Sequence, residues 1–524
     1  MTEYLDPCES LQPTSQPDSR HRPLILRVDS GTSRFPQTPA LRWTRRLAAL
    51  GAATLLACLG PLACGPAAVD QAPTGETAEE PEPETAETDS GAADLAYRDA
   101  VSGPPPGWSG PVFELSHDYP TTDPGACPPE TCPWLAMDVD FSDPSPTWGP
   151  PWSDYLQAIF DYVKEGQDLS PEGWNTAVGG ETRWYHVPWM AYDPKVGREF
   201  VHGFTNERTA YLSDFLGSGE GAFGAHTLPL AEGGSTEEEF ESWAVGFYNP
   251  WGGHAIGGTW GRDGEPVMSG NPAQPAGLPF PEGTVVAKIL FTTATPDDVY
   301  YLEGSPEWTA DRHTQVGGCE REPQPVRLVQ MDVAVVDERA PTRWVYGTFG
   351  YDGTLEGSSP WDRMAPLGLQ WGNDPESFPA VAEAESRPVH QSVLAPVDIY
   401  EHFGCNARLA GPVDNKKSAC LACHGGGYVA RPAGSISEMA PPCEPGSGEP
   451  CNHVPQIFGF DGLCTEASPE NANYFANVTY PEPYTGDGYP NTFSTDTSLQ
   501  LQVAFMQYGV YNTNGQPNAC TPAG

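Results

Sequence analysis

The segment Cys420-Leu-Ala-Cys423-His424 limits the possible folds and functions of this chain more than any other feature of the sequence. Two thiols three positions apart can reach the two vinyl groups of a haem, while the next residue lies under the iron. A fold that contains such a segment has to leave room for the macrocycle. We therefore expect one covalent haem c, attached through Cys420 and Cys423, with His424 as the proximal ligand of the iron.

Three other interpretations of the segment compete with haem attachment. A structural zinc site needs a second close pair of ligands, and Cys443, Cys451 and His453 stand at the wrong interval for a zinc ribbon or knuckle. A thioredoxin-like dithiol lies at a strand-to-helix turn of a βαβ unit, a pattern that this region does not show. A chance match is the third alternative.

A candidate export signal lies near the N-terminus. Arg45 and Arg46 precede an apolar run of small residues that reaches Cys58, which is typical of a secretion signal. The run is too short, and too interrupted by Pro61, to predict a transmembrane helix. Because haem c is attached outside the cytoplasm, the two patterns support each other, and we expect an extracytoplasmic protein.

The end of this run resembles the lipobox of bacterial lipoproteins. The residues Leu55-Leu-Ala-Cys58 imply cleavage before Cys58 and a lipid anchor on that residue, with Cys64 as the competing position. The resemblance implies attachment to a membrane, in the periplasm or at the outer membrane of a Gram-negative bacterium. An ordinary secretion signal with two incidental cysteines is the alternative.

The charge balance restricts the partners. The 524 residues include 70 Asp and Glu but only 26 Lys and Arg, so the formal net charge is -44. Such a field repels nucleic acid and attracts basic proteins. We expect no nucleic-acid partner, and a redox partner protein that docks through a basic patch.

Composition divides the chain into four segments. Residues 1–64 are expected to form an N-terminal extension and a lipoprotein-type signal peptide, and residues 65–105 a disordered acidic linker. Residues 106–395 are predicted as a β-rich domain. Residues 396–524, where cysteines are dense, are predicted as the haem-binding segment.

The periodicity of apolar residues predicts a mainly β fold. Strands are expected over residues 284–292, 326–336 and 343–351, and in the second of these Gln330 and Asp332 occupy the face opposite the apolar residues. This alternation predicts an antiparallel sheet or sandwich with one face in water, long irregular loops and a few helices, followed by the C-terminal haem-bearing segment.

One early helix is predicted over residues 153–165. Its apolar residues recur on a single face, as expected for a helix that packs on a core. Ser153 is a candidate cap for its start, and Gly166 for its end.

The remaining cysteines of the exported part predict disulfides. Their number is even, and an oxidising compartment favours their pairing. They are Cys127, Cys132, Cys319, Cys405, Cys443, Cys451, Cys464 and Cys520. Cys127 with Cys132 and Cys443 with Cys451 are the short-loop pairs, although sequence alone leaves the connectivity open.

The group on the far side of the iron decides the function. A Met or a second His there produces a closed electron carrier, whereas an open position produces a haem that binds small ligands or catalyses a reaction. The downstream candidates are Met439 in a polar loop, His453 and Met506. Met506 shares a possible helical face with Leu499 and Val503, which also suits a core position.

Through Cys420, Cys423 and His424 the chain resembles the c-type cytochromes, which implies haem binding and electron transfer. Aromatic segments such as residues 184–189 and 370–374 are similar to those of large bacterial single-haem members of that family. Among such segments stand three histidines that could line a haem pocket or belong to the core. They are His186, His202 and His254.

A second resemblance rests on residues 280–288, on the later strand at residues 344–349 and on the haem motif towards the C-terminus. This layout looks like that of the cytochrome P-four-sixty family, small β-sheet cytochromes whose haem is cross-linked to a Lys. The iron of that family is open to hydroxylamine or nitric oxide. The resemblance implies Lys288 as the cross-linked residue, and a strand Lys that faces solvent is the alternative.

Three functions are compatible with these patterns. The first is an exported single-haem c-type cytochrome that transfers electrons. The second is a haem-dependent oxidoreductase or a protein that binds a small gas, with an open iron site. The third is an extracytoplasmic binding module to which the haem segment is appended.

Overall fold

The computed structural model describes residues 103–108, 112–165, 167, 184–193, 197–200, 202–216, 238–270, 274–313, 321–375, 390–397, 399, 402–416, 418–430, 474–481 and 492–514. All of them belong to one compact unit, Thr85–Gly524. The predicted signal and most of the predicted linker lie outside the described residues. The same is true of Cys58, Cys64, Met439, Cys443, Cys451 and His453.

The described residues are mostly antiparallel β structure. The strands are β1 (Tyr192–Asp193), β2 (Gly197–Arg198), β3 (Thr205–Tyr211), β4 (Glu239–Tyr248), β5 (Val285–Thr292), β6 (Glu307–His313), β7 (Arg321–Val336), β8 (Trp344–Tyr351), β9 (Met364–Gln370), β10 (Ser392–Leu394), β11 (Tyr428–Ala430) and β12 (Thr492–Ser494).

Eight of these strands form one curled antiparallel sheet. Its order is β10-β9-β8-β7-β5-β4-β3, and β6 pairs with the first half of the long strand β7. The strands β1 and β2, and likewise β11 and β12, form two-stranded sheets. The prediction of a mainly β, antiparallel fold is confirmed, and the three predicted strands correspond to β5, β7 and β8.

The helices of the described residues are few. They are α1 (Trp152–Lys164), α2 (Leu212–Leu216), α3 (Pro250–Thr259), α4 (Cys420–His424) and α5 (Leu499–Asn514). The early helix and its buried apolar face are confirmed by α1.

The predicted capping of α1 is wrong at its start. The helix begins one residue earlier than predicted, Pro151 occupies the cap position, and no side chain caps the first turn. The backbone N–H of Ser153 donates instead to the carbonyl of Gly149 at 3.1 Å, so a main-chain oxygen does the work of a side-chain cap. At the other end Glu165 follows the last helical residue, and Gly166 lies outside the described residues.

One face of the sheet carries the main hydrophobic core. Helix α1 packs there, with the ring centroid of Phe160 4.5 Å from that of Phe349 on β8. The ring of Trp152 stacks on that of Trp371, just after β9, at 4.2 Å. Burial of such large apolar side chains is the main favourable term that fixes the helix on the sheet.

The prediction that the opposite face lies in water is wrong. Gln330 on β7 is fully buried, and Trp344 and Tyr346 on β8 are almost fully buried. Ala334, Trp344 and Tyr346 share a hydrophobic cluster with Leu421 of α4 and Phe505 of α5. The C-terminal residues therefore cover this face, which the alternation of polar and apolar residues does not reveal.

The N-terminal part of the fold contains the predicted short-loop disulfide. Cys127 and Cys132 are joined, with their Cα atoms 5.9 Å apart. Cys405 is disulfide-bonded as well. No helix within the part of the chain that the structure describes has the length and apolar character needed to cross a membrane.

Candidate functional site

A cavity of about 350 Å³ lies between the covered face of the sheet and the C-terminal residues. Three polar residues of the sheet line it side by side. Lys288 on β5 pairs with Asp332 on β7, and Asp332 pairs with Thr348 on β8. Because directly opposed residues of neighbouring strands point to the same face, this register forms a row of polar groups along the cavity. We call Lys288, Asp332 and Thr348 the polar row.

The Cys420–His424 segment forms the opposite wall of the same cavity. Cys420, Cys423 and His424 line it from the short helix α4. Residues three apart on a helix share a face, so both thiols point to the same side. Neither cysteine forms a disulfide, and both are half-buried. Cys420, Cys423 and His424 are thus residues that could hold a haem at this place.

His424 is fixed by a contact with the end of the chain. Its Nδ1 lies 2.9 Å from the carbonyl oxygen of Thr497, just before α5. A neutral imidazole that donates from Nδ1 keeps the lone pair of Nε2 for a metal, as the second-shell bonds of metal-bound histidines generally arrange. The ring of Tyr346 lies 4.6 Å from that of His424, and its hydroxyl is 2.9 Å from Oγ1 of Thr497.

The turn that supplies this carbonyl is itself anchored. Asp496 and Thr497 both have left-handed backbones, with φ of 51° and 62°, a conformation that costs energy in residues other than glycine. The buried carboxylate of Asp496 accepts hydrogen bonds from the indole N–H of Trp344 at 3.2 Å and from the backbone N–H of Phe280 at 2.8 Å. Arg343 adds an ion pair at 3.3 Å. These bonds fix the strained turn beneath His424.

Lys288 has an acidic partner within the cavity. Its ammonium lies 3.0 Å from a carboxylate oxygen of Glu207 on β3, which lines the cavity too. Burial alone would lower the pKa of Lys288, but the carboxylates of Glu207, Asp332 and Asp414 together raise it above its ordinary value. Lys288 therefore lines the cavity as a cation, with 30% of its side chain exposed.

Asp332 is the centre of a hydrogen-bond network. The amide Nε2 of Gln330 donates to both of its carboxylate oxygens, at 2.8 and 3.0 Å, and also to Asp414 at 3.1 Å. The hydroxyl of Thr348 donates to Asp332 at 2.9 Å. Burial, and next the Asp414 carboxylate, raise the pKa of Asp332 to about 8. This carboxyl group can therefore gain or lose a proton near neutral pH.

The same buried charges also shift the pKa values of His424 and Cys420. Burial, and next the ammonium of Lys288, lower the pKa of His424 to about 4, although the hydrogen bond to Thr497 opposes the shift. Burial and the carboxylates of Asp414 and Asp332 raise the pKa of Cys420 well above its usual range. At neutral pH the structure therefore contains a neutral imidazole and a protonated thiol at these positions.

The predicted ligands for the far side of the iron are not brought to the cavity within the described residues. Met439 and His453 lie outside those residues, and Met506 of α5 does not belong to the described cavity wall, although Leu499 and Val503 do.

Met190 is a cavity residue that sequence reasoning missed. Its neighbours Trp189 and Tyr192 are aromatic, and an isolated methionine in such a segment gives no signal beyond a core position.

The three histidines of the aromatic segments do not belong to the described cavity wall. His254 lies on α3, where its Nδ1 is 2.9 Å from the carbonyl oxygen of Pro120. His186 and His202 lie close to each other, with ring centroids 6.1 Å apart. Their positions therefore do not support a role in lining this cavity.

Comparison of the chain with protein-family models, with curated proteins and with solved structures found no match. The assignment of a function therefore rests on the residues of the site and on their geometry.

The protonation of Asp332 leads to a testable pH dependence. Its pKa is higher in the folded chain than the value of about 3.9 in an unfolded one, so folding is favoured by the bound proton. That contribution is complete below about pH 4 and is lost as the pH rises towards 8, with a slope of at most about 1.4 kcal/mol per pH unit. Asp332→Asn should remove it.

Urea unfolding of the purified chain between pH 6.5 and 8 measures this effect. The lowered pKa of His424 adds a slope of opposite sign, which fades as the pH rises above the unfolded value of about 6.5. This slope is common to all the chains compared and cancels in the comparison. The exposed Asp154→Asn variant is the matched control and should keep the slope of the wild type. Identical slopes in Asp332→Asn and the wild type would contradict this description of the site.

Proposed function

We propose that this chain is an exported c-type haem protein that carries one covalent haem c in the cavity beside the polar row. One observation carries the proposal: two cysteines outside any disulfide and an oriented neutral imidazole line a single cavity, at the spacing that haem attachment needs. In this proposal Cys420 and Cys423 form the thioether bonds. His424 provides the ligand for the iron through Nε2.

The donor groups fit such a haem chemically. The thiols are not paired with each other, so both are available to add to vinyl groups. The Thr497 carbonyl sets the tautomer of His424 that leaves Nε2 for the metal. A bound haem would supply one-electron chemistry and a position for a small ligand. The chain's own residues set the charge, the hydrogen bonds and the access of water around it.

Among the compatible functions we favour a haem-dependent oxidoreductase or small-gas-binding protein with an open iron site. The polar row supplies the reason, because buried ionisable groups cost free energy and cluster at sites that handle charged or polar ligands. Lys288 and Glu207 offer a cation and an anion, and Asp332 offers a proton that titrates near neutral pH. Nitric oxide or hydroxylamine is the ligand class that the cytochrome P-four-sixty resemblance implies.

A closed electron carrier is the second candidate, and Met190 is the observation in its favour. This thioether lines the same cavity as His424, and methionine opposite histidine is the ligand pair of many electron-transfer haems. The binding-module alternative is less favoured, because Leu421 and Phe505 share one hydrophobic cluster with the sheet residue Trp344. The haem motif is thus part of the same core.

The export signal and the charge supply the rest of the proposal. We place the protein outside the cytoplasm, as a lipoprotein anchored through Cys58 or Cys64 in a Gram-negative bacterium. Its net charge of -44 favours a redox partner protein with a basic docking patch and disfavours nucleic acid.

Replacement of the two motif thiols tests the attachment. Export of the chain in a bacterium that matures c-type cytochromes, followed by a denaturing gel stained for haem peroxidase activity, should give a haem band at the mass of the chain. Cys420→Ser with Cys423→Ser should abolish the band, because no thioether can form. The control, Cys127→Ser with Cys132→Ser, removes a cysteine pair that forms a disulfide elsewhere in the fold. This variant should keep the haem band. A wild-type chain without the band would defeat the proposal.

Ligand binding separates the two candidates. An open iron site predicts that carbon monoxide shifts the Soret band of the reduced wild type, and that Met190→Leu responds in the same way. A carrier closed by Met190 predicts no shift in the wild type and a shift only in Met190→Leu. Met268→Leu, a substitution outside the described cavity wall, is the control. An unshifted wild-type spectrum would refute the open site.

Lys288→Ala tests the cross-link that the cytochrome P-four-sixty resemblance implies. Loss of a bond between this lysine and the macrocycle should move the Soret band of the purified protein. Lys164→Ala, on helix α1 and half-buried, should leave the band unchanged. A Soret band that stays in place after Lys288→Ala would rule out the cross-link and leave Lys288 as the ionic partner of Glu207.

A further inference from the structure

Three histidines meet in the interior, apart from the residues that line the haem cavity. The ring centroid of His117 lies 6.0 Å from that of His186 and 5.5 Å from that of His202, and the last two are 6.1 Å apart. His117 and His186 are almost completely buried, and His202 is partly buried. We call these residues the histidine triad.

Backbone pairing brings the three residues together from distant parts of the chain. The backbone N–H of His186 donates to the carbonyl of Ser116, next to His117. The carbonyl of His202 accepts from the backbone N–H of Phe113. His202 adopts a left-handed backbone, with φ of 65°. This conformation is uncommon outside glycine and is often found where a functional side chain has to be placed.

Burial disfavours the charged form of two members of the triad, His117 and His186. Burial, and next the neighbouring rings, lower the pKa of His117 well below its ordinary value. Burial, and next His202, lower the pKa of His186 to about 3. A neutral imidazole has a lone pair for a metal, and it is the form in which histidine binds one. Within the described residues, the buried Nδ1 of His186 has no hydrogen-bond partner.

The spacing of the rings suits a single ion between them. A triangle with these sides has its centre about 3.4 Å from each centroid. An imidazole nitrogen at about 2.1 Å from zinc places the ring centroid about 3.2 Å from the metal. Among the described residues, no three ligand side chains already converge on a common point. The rings would have to turn about χ2, a torsion with a broad distribution in histidine.

We propose that His117, His186 and His202 bind one divalent first-row transition ion, of which Zn²⁺ and Cu²⁺ are the representatives that imidazole ligands favour. A fourth position would be filled by water, as in other sites with three imidazole ligands. This site is independent of the haem, because none of the three residues belongs to the described cavity wall. The ion would link the segment that begins at residue 112 to the edge of the sheet.

Zinc binding by the full exported chain tests the proposal. The protein is treated with a chelator, titrated with Zn²⁺ alone and passed through gel filtration, and bound zinc is measured by elemental analysis. Parallel samples carry Cys420→Ser and Cys423→Ser, so that these thiols cannot supply the ligands and a failure of haem attachment is seen separately. One equivalent of zinc is expected in both backgrounds.

Single substitutions assign the site. His186→Gln and His202→Gln should each lower the zinc content to below a tenth of an equivalent, whereas the exposed His390→Gln should keep one equivalent. Circular dichroism identifies any variant that fails to fold. The wild type alone provides a second readout, since zinc that binds the folded chain should raise its Tm. The X-ray absorption fine structure should report about four nitrogen or oxygen ligands near 2.0 Å, with the outer-shell scattering of imidazole rings. A wild type that binds no zinc, or undiminished binding in both variants, would overturn the proposal.

Discussion

The register of the central strands places Lys288, Asp332 and Thr348 next to one another, and the polar lining of the cavity depends on this arrangement. A slip of one residue in any of these strands would turn its member of the row to the opposite face. There that residue would meet the main core beneath helix α1, where unpaired charges are strongly disfavoured. Register therefore decides whether the chain has a polar cavity at all.

The C-terminal residues complete this cavity and give it an electrostatic asymmetry. Lys288 and Glu207 form an ion pair, while Asp332 shares hydrogen bonds with Gln330 beside Asp414. Such groups are costly to bury unless they are paired and hydrogen-bonded. On the opposite wall, the strained turn at Thr497 holds His424 in one orientation. The arrangement directs charged and proton-bearing groups into the cavity from one side and a neutral imidazole from the other.

Sequence reasoning recovered the parts of the structure that local patterns encode. The alternation in β7 and the apolar face of α1 depend on neighbouring residues, and both predictions are confirmed. The start of α1 was misplaced, since Pro151 sets the first turn without a side-chain cap.

The polar face of β7 was predicted to be exposed to solvent. That prediction failed because the polarity of a strand does not show which distant residues will cover it. That face is covered by residues near positions 420 and 500.

The grouping of the site residues could be recognised only from the tertiary structure. Spacing alone identified Cys420, Cys423 and His424 as a group, but nothing local connects them to Lys288, which stands more than a hundred residues earlier. The resemblance to a β-sheet cytochrome family singled out Lys288, and the structure places it in the same cavity. Asp332 seemed to be a solvent-facing residue of a strand, and its burial and raised pKa follow only from tertiary contacts.

Mass spectrometry of proteolytic peptides from the exported protein tests the central claim most directly. We expect the peptide containing Cys420, Cys423 and His424 to carry the mass of one haem, and the peptides of Cys127 and Cys132 to be joined by a disulfide. Recovery of the Cys420 and Cys423 peptide without haem, either as free thiols or as a disulfide between the two, from a host that matures other c-type cytochromes would contradict it.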